Sequence, residues 1–94
     1  MAAIDQDRIL ATITGLAEAT RVSNFWISGD GRIGEQDAAK LLGWSPDSLR
    51  NARTEKAGPR SYRLGGGGHR VTYRLMDLAK WIESHCEEEQ PARR

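Results

Sequence analysis

Residues 33–53, IGEQDAAKLLGWSPDSLRNAR, and residues 61–74, SYRLGGGGHRVTYR, decide the fold of this chain. The first stretch carries two short helical patterns separated at Gly43-Trp44-Ser45. The second alternates apolar and polar residues on both sides of four glycines, as the two strands of a β-hairpin do. Two helices joined by a tight turn and followed by a hairpin are typical of a winged helix-turn-helix, an arrangement that binds DNA.

The turn between the two helices carries signals for one helix end and one helix start. The first helix is predicted to begin near Glu35, and Gly43 can end it in a left-handed conformation. Ser45 offers an N-cap oxygen, and Pro46 suits the first helical position because its missing N–H would be unbonded anyway. The second helix is predicted to run to about Lys56. The residues assigned to the buried side of the first helix are Ala38, Ala39, Leu41 and Leu42.

The hairpin strands are predicted to have one apolar face and one basic face. The alternating residues are Tyr62 and Leu64 against Ser61 and Arg63, and then Val71 and Tyr73 against Arg70, Thr72 and Arg74. The whole chain is therefore expected to be mainly α-helical with a small β-hairpin, an α+β fold.

Further helices are predicted on both sides of this unit. Residues 5–20 place apolar side chains at helical spacing, and Gly15 should interrupt or strain that helix. Its inward residues are Ile9, Ile13, Leu16, Ala17 and Thr20. A last helix is predicted from Leu75 to about His85, with Leu75, Leu78, Ala79 and Ile82 inward and Trp81 beside them. The patch Phe25-Trp26-Ile27 fits either a strand or a core anchor.

Composition limits the classes of protein to which the chain can belong. Its 94 residues suffice for one domain, and a single cysteine, Cys86, excludes an internal disulfide. No apolar run is long enough to cross a bilayer, and the N-terminus lacks a signal-peptide pattern. We therefore expect a soluble cytoplasmic protein, associated with a bacterial nucleoid if it binds DNA.

The net charge of +1 hides an uneven distribution. Residues 32–74 hold nine Lys or Arg against four Asp or Glu, a net charge of +5, whereas residues 1–31 and 75–94 each carry −2. Positive charge concentrated on one unit indicates a polyanionic partner.

The second helix of the pair is predicted to carry base-reading side chains. With Leu49 buried, a rotation of about 100° per residue sends Asp47, Arg50, Asn51 and Thr54 to the opposite face. Arginine can bond guanine O6 and N7 as a fork, and asparagine can do the same for adenine N6 and N7. The alternative is an ordinary solvated helix face, in which these residue types are common.

The four glycines, Gly65-Gly66-Gly67-Gly68, favour close approach of the backbone to another molecule, because they lose much entropy on ordering and offer no packing. His69 and Arg70 follow at once, which suits a wing tip lying over a DNA backbone. The alternative is a loose hairpin tip without contacts. A nucleotide-binding loop is much less favoured, since the Gly-Lys-Ser/Thr ending of a P-loop is absent.

No arrangement of residues indicates an active site, a cofactor or a metal. His69, His85 and Cys86 supply three possible ligands without a fourth or a metal-like spacing. Trp44 and Trp81 are expected as core anchors rather than base-stacking residues. We therefore expect a binding protein that is not an enzyme.

GEQDAAKLLGWSPDSLRNARTEKAGP, followed by YRLGGGGHRVTYRLMDLAKWIES, resembles the MerR-like winged helix-turn-helix of excisionases, or recombination directionality factors, to which AlpA-type regulators are related. The resemblance covers about residues 32–84. It implies that residues 32–86 form the DNA-binding domain, which leaves residues 1–31 outside as an N-terminal helical extension. The polar composition of residues 87–94 and Pro91 predict a disordered tail. The groove contacts that it implies are Ser48, Arg50, Asn51, Arg53 and Thr54, with Arg63, Gly67, Gly68, His69 and Arg70 on the wing. Ala52 departs from the family, whose members often have Trp there.

By this resemblance the protein would bind repeated sites near an attachment region, bend the DNA and promote excision by an integrase. Its expected partners are double-stranded DNA, further copies of itself bound cooperatively and a site-specific integrase, with no membrane. Two alternatives stay open. One is a transcriptional regulator of the AlpA type, and the other is a protein-interaction module that uses helix 5–20.

Overall fold

The computed structural model of the protein describes residues 5–64 and 70–87. In these ranges the elements are α1 (Gln6–Val22), β1 (Arg32–Gly34), α2 (Glu35–Leu42), α3 (Pro46–Thr54), β2 (Tyr62–Arg63), β3 (Val71–Arg74) and α4 (Leu75–Ser84). They form a small α+β domain, as predicted. Glu87 is exposed, and the rest of the predicted tail lies outside the described residues.

Helix α1 begins where the Asp5 carboxylate accepts a hydrogen bond from a backbone N–H of the first turn at 2.9 Å. It packs against α4, and its buried residues are Ile9, Leu16 and Thr20. The interruption predicted at Gly15 is wrong, because packing outweighs the cost of about 1 kcal/mol for one helical glycine. Ala17 is exposed rather than inward, since it lies about 100° around the helix from Leu16.

The turn between α2 and α3 has the predicted construction. Gly43 adopts a left-handed φ of 77° and ends α2. Ser45 then caps α3 by accepting a hydrogen bond from the backbone N–H of Ser48 at 3.1 Å, and Pro46 occupies the first turn. Helix α3 ends two residues before its predicted limit, because Lys56 has a left-handed φ of 58° that is incompatible with the helix.

The sheet has three antiparallel strands in the order β1-β3-β2, so the predicted hairpin has gained a third strand. Ile33 of β1 pairs with Tyr73, and Tyr62 of β2 pairs with Thr72. Thr72 is 3% exposed, which corrects its expected place on an open basic face. Its hydroxyl accepts from Arg32 Nη1 at 3.0 Å and donates to the Tyr62 carbonyl at 3.1 Å, because β3 is the central strand.

Two apolar segments next to the sheet do not behave as expected. Leu64, placed on the apolar hairpin face by its alternation, is 53% exposed because β2 ends before it. Residues 25–27 form neither a strand nor a core anchor. Phe25 is half-buried beneath the Lys40 ammonium, with Nζ 5.7 Å from the ring centroid, whereas Trp26 and Ile27 are exposed.

The core is formed by buried side chains of α1, α2, α3 and α4 and of strands β1 and β3. Its largest fully buried side chains are Tyr73, Ile33, Leu49 and Leu78. Trp44 packs against the core, in agreement with its expected role. Trp81 is half-buried and meets Trp44 edge to face, with ring centroids 5.2 Å apart. Leu41 and Leu42, expected on the buried side of α2, are only partly buried. Ile9 and Leu16 of α1 belong to the same core cluster.

Candidate nucleic-acid interface

Helix α3 presents to solvent the polar face that the sequence predicts. Leu49 is fully buried beneath it and fixes the helix on the core. The exposed side chains of the helix include Asp47, Ser48, Arg50, Asn51 and Thr54. Arg50 Nη2 lies 2.9 Å from Asp47 Oδ1, and the Thr54 hydroxyl donates to the Arg50 carbonyl at 3.0 Å. The face therefore offers a guanidinium, an amide and hydroxyls at once, which are groups that hydrogen-bond to base edges.

Arg53 differs from the other predicted groove residues because it faces into the molecule. Its Nε donates to Glu35 Oε2 at 2.7 Å and its Nη2 donates to Oε1 at 3.2 Å. The Tyr73 hydroxyl donates to the same Oε2 at 2.8 Å. The side chain of Arg53 is 23% exposed and that of Glu35 is 18% exposed. Arg53 therefore serves first to hold α3 against α2 through its ion pair with Glu35.

The electrostatics of this group keep Glu35 ionised. Burial alone would raise the pKa of Glu35, but the hydrogen bonds from Arg53 and Tyr73 outweigh it and leave the pKa below its ordinary value. Burial, and then the hydrogen bond to Glu35, raise the pKa of Tyr73. The hydrogen bond to Glu35 raises the pKa of Arg53. A carboxylate, a guanidinium and a neutral phenol are the stable forms at neutral pH.

A cleft of about 550 Å³ lies between the start of α2, the end of α3 and the hairpin. Arginines from three places line it, namely Arg53 of α3, Arg63 of β2 and Arg70 just before β3. Glu35 and Asp37 of α2 line the same cleft. The fold thus brings together arginines of the predicted recognition helix and of the predicted wing.

A second groove, of about 510 Å³, runs along the other side of α3. Ser48 and Asn51 line it together with Trp44 and Ala52. A Cβ placed on Gly58 would lie 3.1 Å from the Cβ of Ala52, so these two small residues fit each other. Ala52, where excisionases often have Trp, thus lies at a close approach of the chain after α3.

Further arginine contacts lie at or next to the sheet. Arg32 and Arg74 bind the Asp30 carboxylate at 2.9 and 3.3 Å. The Ser28 hydroxyl and then Arg32 lower the pKa of Asp30 to about 2. Arg74 also lies over the Tyr62 ring, with its guanidinium carbon 4.9 Å from the ring centroid, and Arg70 lies over the Trp26 ring at 5.3 Å.

The predicted wing residues divide into two groups. Arg63 and Arg70 are exposed and line the cleft. Gly67, Gly68 and His69 lie outside the described residues. Sequence reasoning missed the roles of Glu35, Tyr73 and Trp26, each of which depends on a partner distant in the chain. Only the placement of Glu35 and Arg53 on neighbouring helices could have suggested one of these pairs.

Comparison with known proteins assigns no family, since no family description, curated protein or solved structure matches the chain. Within residues 5–64 and 70–87, no helix has the length and apolar character to cross a membrane. In the same ranges, no three His, Cys, Asp or Glu side chains are grouped so that they could hold a metal ion. The function must therefore be argued from the interface itself.

Proposed function

We propose that this protein binds duplex DNA sequence-specifically as a winged helix-turn-helix. Helix α3 would enter the major groove, and the β2–β3 hairpin would follow the adjacent backbone or minor groove. The observation that supports the proposal is the cleft that Arg53 of α3 lines together with Arg63 and Arg70 of the hairpin segment. The net charge of +5 on residues 32–74 supports a polyanionic partner.

Within this proposal the side chains have different tasks. Arg50 and Asn51 would read base edges, while Ser48 and Thr54 would contact bases or phosphates nearby. Arg63 and Arg70 would bind phosphates, which positions the protein without reading sequence. Gly67, Gly68 and His69 stay predicted members of the wing.

The finer role that we propose is that of an excisionase, and it rests on the resemblance of residues 32–84. Copies bound at repeated sites would bend DNA near an attachment region and favour integrase-mediated excision. Bending a short site costs on the order of 1–6 kcal/mol, so a protein of 94 residues would need neighbouring copies to supply it. A transcriptional regulator without a recombination role would use the same DNA contacts.

A protein-interaction module built on α1 is less favoured. The apolar stripe of that helix, including Ile9 and Leu16, is already buried against the rest of the chain. A partner helix would have to compete with α4 for it.

The test is selection of a preferred site from random duplexes, followed by titration of wild type and variants on that site. We expect Arg50→Ala and Asn51→Ala to lower discrimination at one base pair each by roughly 1–3 kcal/mol. Arg70→Ala should weaken binding evenly across sequences. It should also reduce the slope of log affinity against log salt concentration, the salt slope, by about one. Arg21→Ala is the matched control, because that arginine is exposed on α1 and paired with Glu18.

Wild-type affinity should fall steeply between about 50 and 200 mM salt, since bound phosphates release counterions. Weak duplex binding whose affinity changes neither with salt concentration nor on Arg50→Ala would refute the proposal. Excision and promoter activity measured together in the source cell, with and without the protein, then distinguish the excisionase from the regulator. Footprints confined to a promoter, with unchanged excision, would select the regulator.

A further inference from the structure

Trp26 is an exposed aromatic side chain next to the proposed wing. It precedes β1, and 50% of its surface is accessible. The guanidinium of Arg70 lies over its ring at 5.3 Å from the centroid. Such a contact holds an arginine in place without neutralising its charge.

More exposed apolar surface is associated with the same arginine. Ile27, the chain neighbour of Trp26, is 42% exposed. Leu64, which follows the Arg63 that pairs with Val71 next to Arg70 in the chain, is 53% exposed. Trp26 and Ile27 are thus adjacent exposed apolar residues beside a cationic side chain, a combination found at interaction sites.

The charges next to Trp26 indicate the chemistry of its partner. Arg32 and Arg74 are ion-paired with Asp30, and Arg74 also lies over the Tyr62 ring at 4.9 Å from its centroid. Within the described residues Arg70 has no such carboxylate partner, and its guanidinium lies over the Trp26 ring. Stacking occupies one face of a guanidinium and leaves its in-plane N–H donors directed outward, which suits a phosphate oxygen. Arg70 also lines the cleft that adjoins α3, so the patch is continuous with the proposed DNA interface.

We propose that the loop before β1 is a third DNA-contacting element, in which Trp26 packs on a deoxyribose while Arg70 binds the adjoining phosphate. This inference rests on the proposed function. It assigns a DNA contact to a residue outside the helix-turn-helix and the hairpin. Trp26 adds apolar contact and orients Arg70, and it contributes no charge.

The test compares Trp26→Ala and Trp26→Phe with wild type on the duplex selected as described above. We expect Trp26→Ala to lower affinity roughly tenfold, with Trp26→Phe retaining most of it. The salt slope should not change in either variant, because no charge is lost, whereas Arg70→Ala should reduce it by about one. Val22→Ala is the matched control, since this residue is 68% exposed on α1.

Tryptophan fluorescence gives a second readout. Binding of duplex should shift the wild-type emission to the blue, and Trp26→Phe should remove that shift while Trp44 and Trp81 still fluoresce. Wild-type binding that depends on salt and on Arg50, together with unaltered affinity and unaltered fluorescence response in the Trp26 variants, would overturn this inference alone. Loss of self-association in Trp26→Ala with DNA affinity intact would overturn it too, in favour of a protein partner. Absence of duplex binding by wild type would overturn the proposed function itself.

Discussion

At the scale of single residues, Glu35 links three elements of the fold. Its carboxylate accepts hydrogen bonds from Arg53 of α3 and from Tyr73 of the central strand. Helices α2 and α3 and strand β3 therefore meet at one charge. Hydrogen bonds to a charged group contribute roughly 1.5–3 kcal/mol each, more than a typical surface ion pair.

We expect Glu35→Gln to lower the free energy of unfolding by about 1–3 kcal/mol at neutral pH, because Arg53 then lacks its anion. Glu18→Gln, which alters the exposed pair with Arg21, should cost less than about 1 kcal/mol. The pKa of Glu35 is lowered in the fold, so its contribution is complete above about pH 4.5 and is lost as pH falls through the lowered value. Urea unfolding at several pH values should show wild type and Glu35→Gln converging in acid. A difference that stays constant down to pH values of about 3 would contradict this role of the carboxylate.

At the scale of elements, the sequence predicts best what is encoded by neighbouring residues. The end of α2 at Gly43 and the start of α3 at Ser45-Pro46 follow from local backbone preferences, and both are confirmed. Strand β1 was not predicted, since it has three residues and pairs with residues about forty positions later. The burial of Thr72 follows from that pairing, so the sequence pattern could not predict it either.

The glycines of α1 and of the turn allow a sharp comparison. Gly43→Ala should destabilise the protein by about 1–2 kcal/mol, because its φ of 77° places a Cβ against the carbonyl oxygen. Gly15→Ala should stabilise it by about 0.5–1 kcal/mol, since the site is helical and an added Cβ meets nothing within 4 Å. Thermal or urea unfolding of the two variants measures both effects. Changes of equal size and sign in the free energy of unfolding of the two variants would show that the left-handed φ of Gly43 does not affect stability.

At the scale of the whole molecule, the candidate interface was predictable in part. The exposed face of α3 follows from helical geometry once Leu49 is buried, and Arg50 and Asn51 lie where that geometry puts them. The inward turn of Arg53 and the contact of Trp26 with Arg70 depend on how separate elements pack. Periodicity predicts the face of its own helix or strand on which a residue lies. It carries no information about which residue of another element packs against that face.

The packing of α1 on α4 predicts that the chain unfolds as one unit. Leu16 is 8% exposed in that contact, so Leu16→Ala should cost about 2–5 kcal/mol, a large share of the stability of a small domain. Leu10→Ala on the same helix is the control, because Leu10 is 58% exposed and its loss should change stability by no more than about 0.5 kcal/mol. Both should show a single cooperative transition by circular dichroism and by tryptophan fluorescence, since Trp44 and Trp81 report on the shared core. Two separate transitions, with only the helical signal sensitive to Leu16, would mean that α1 is an independent extension and that the winged unit folds without it.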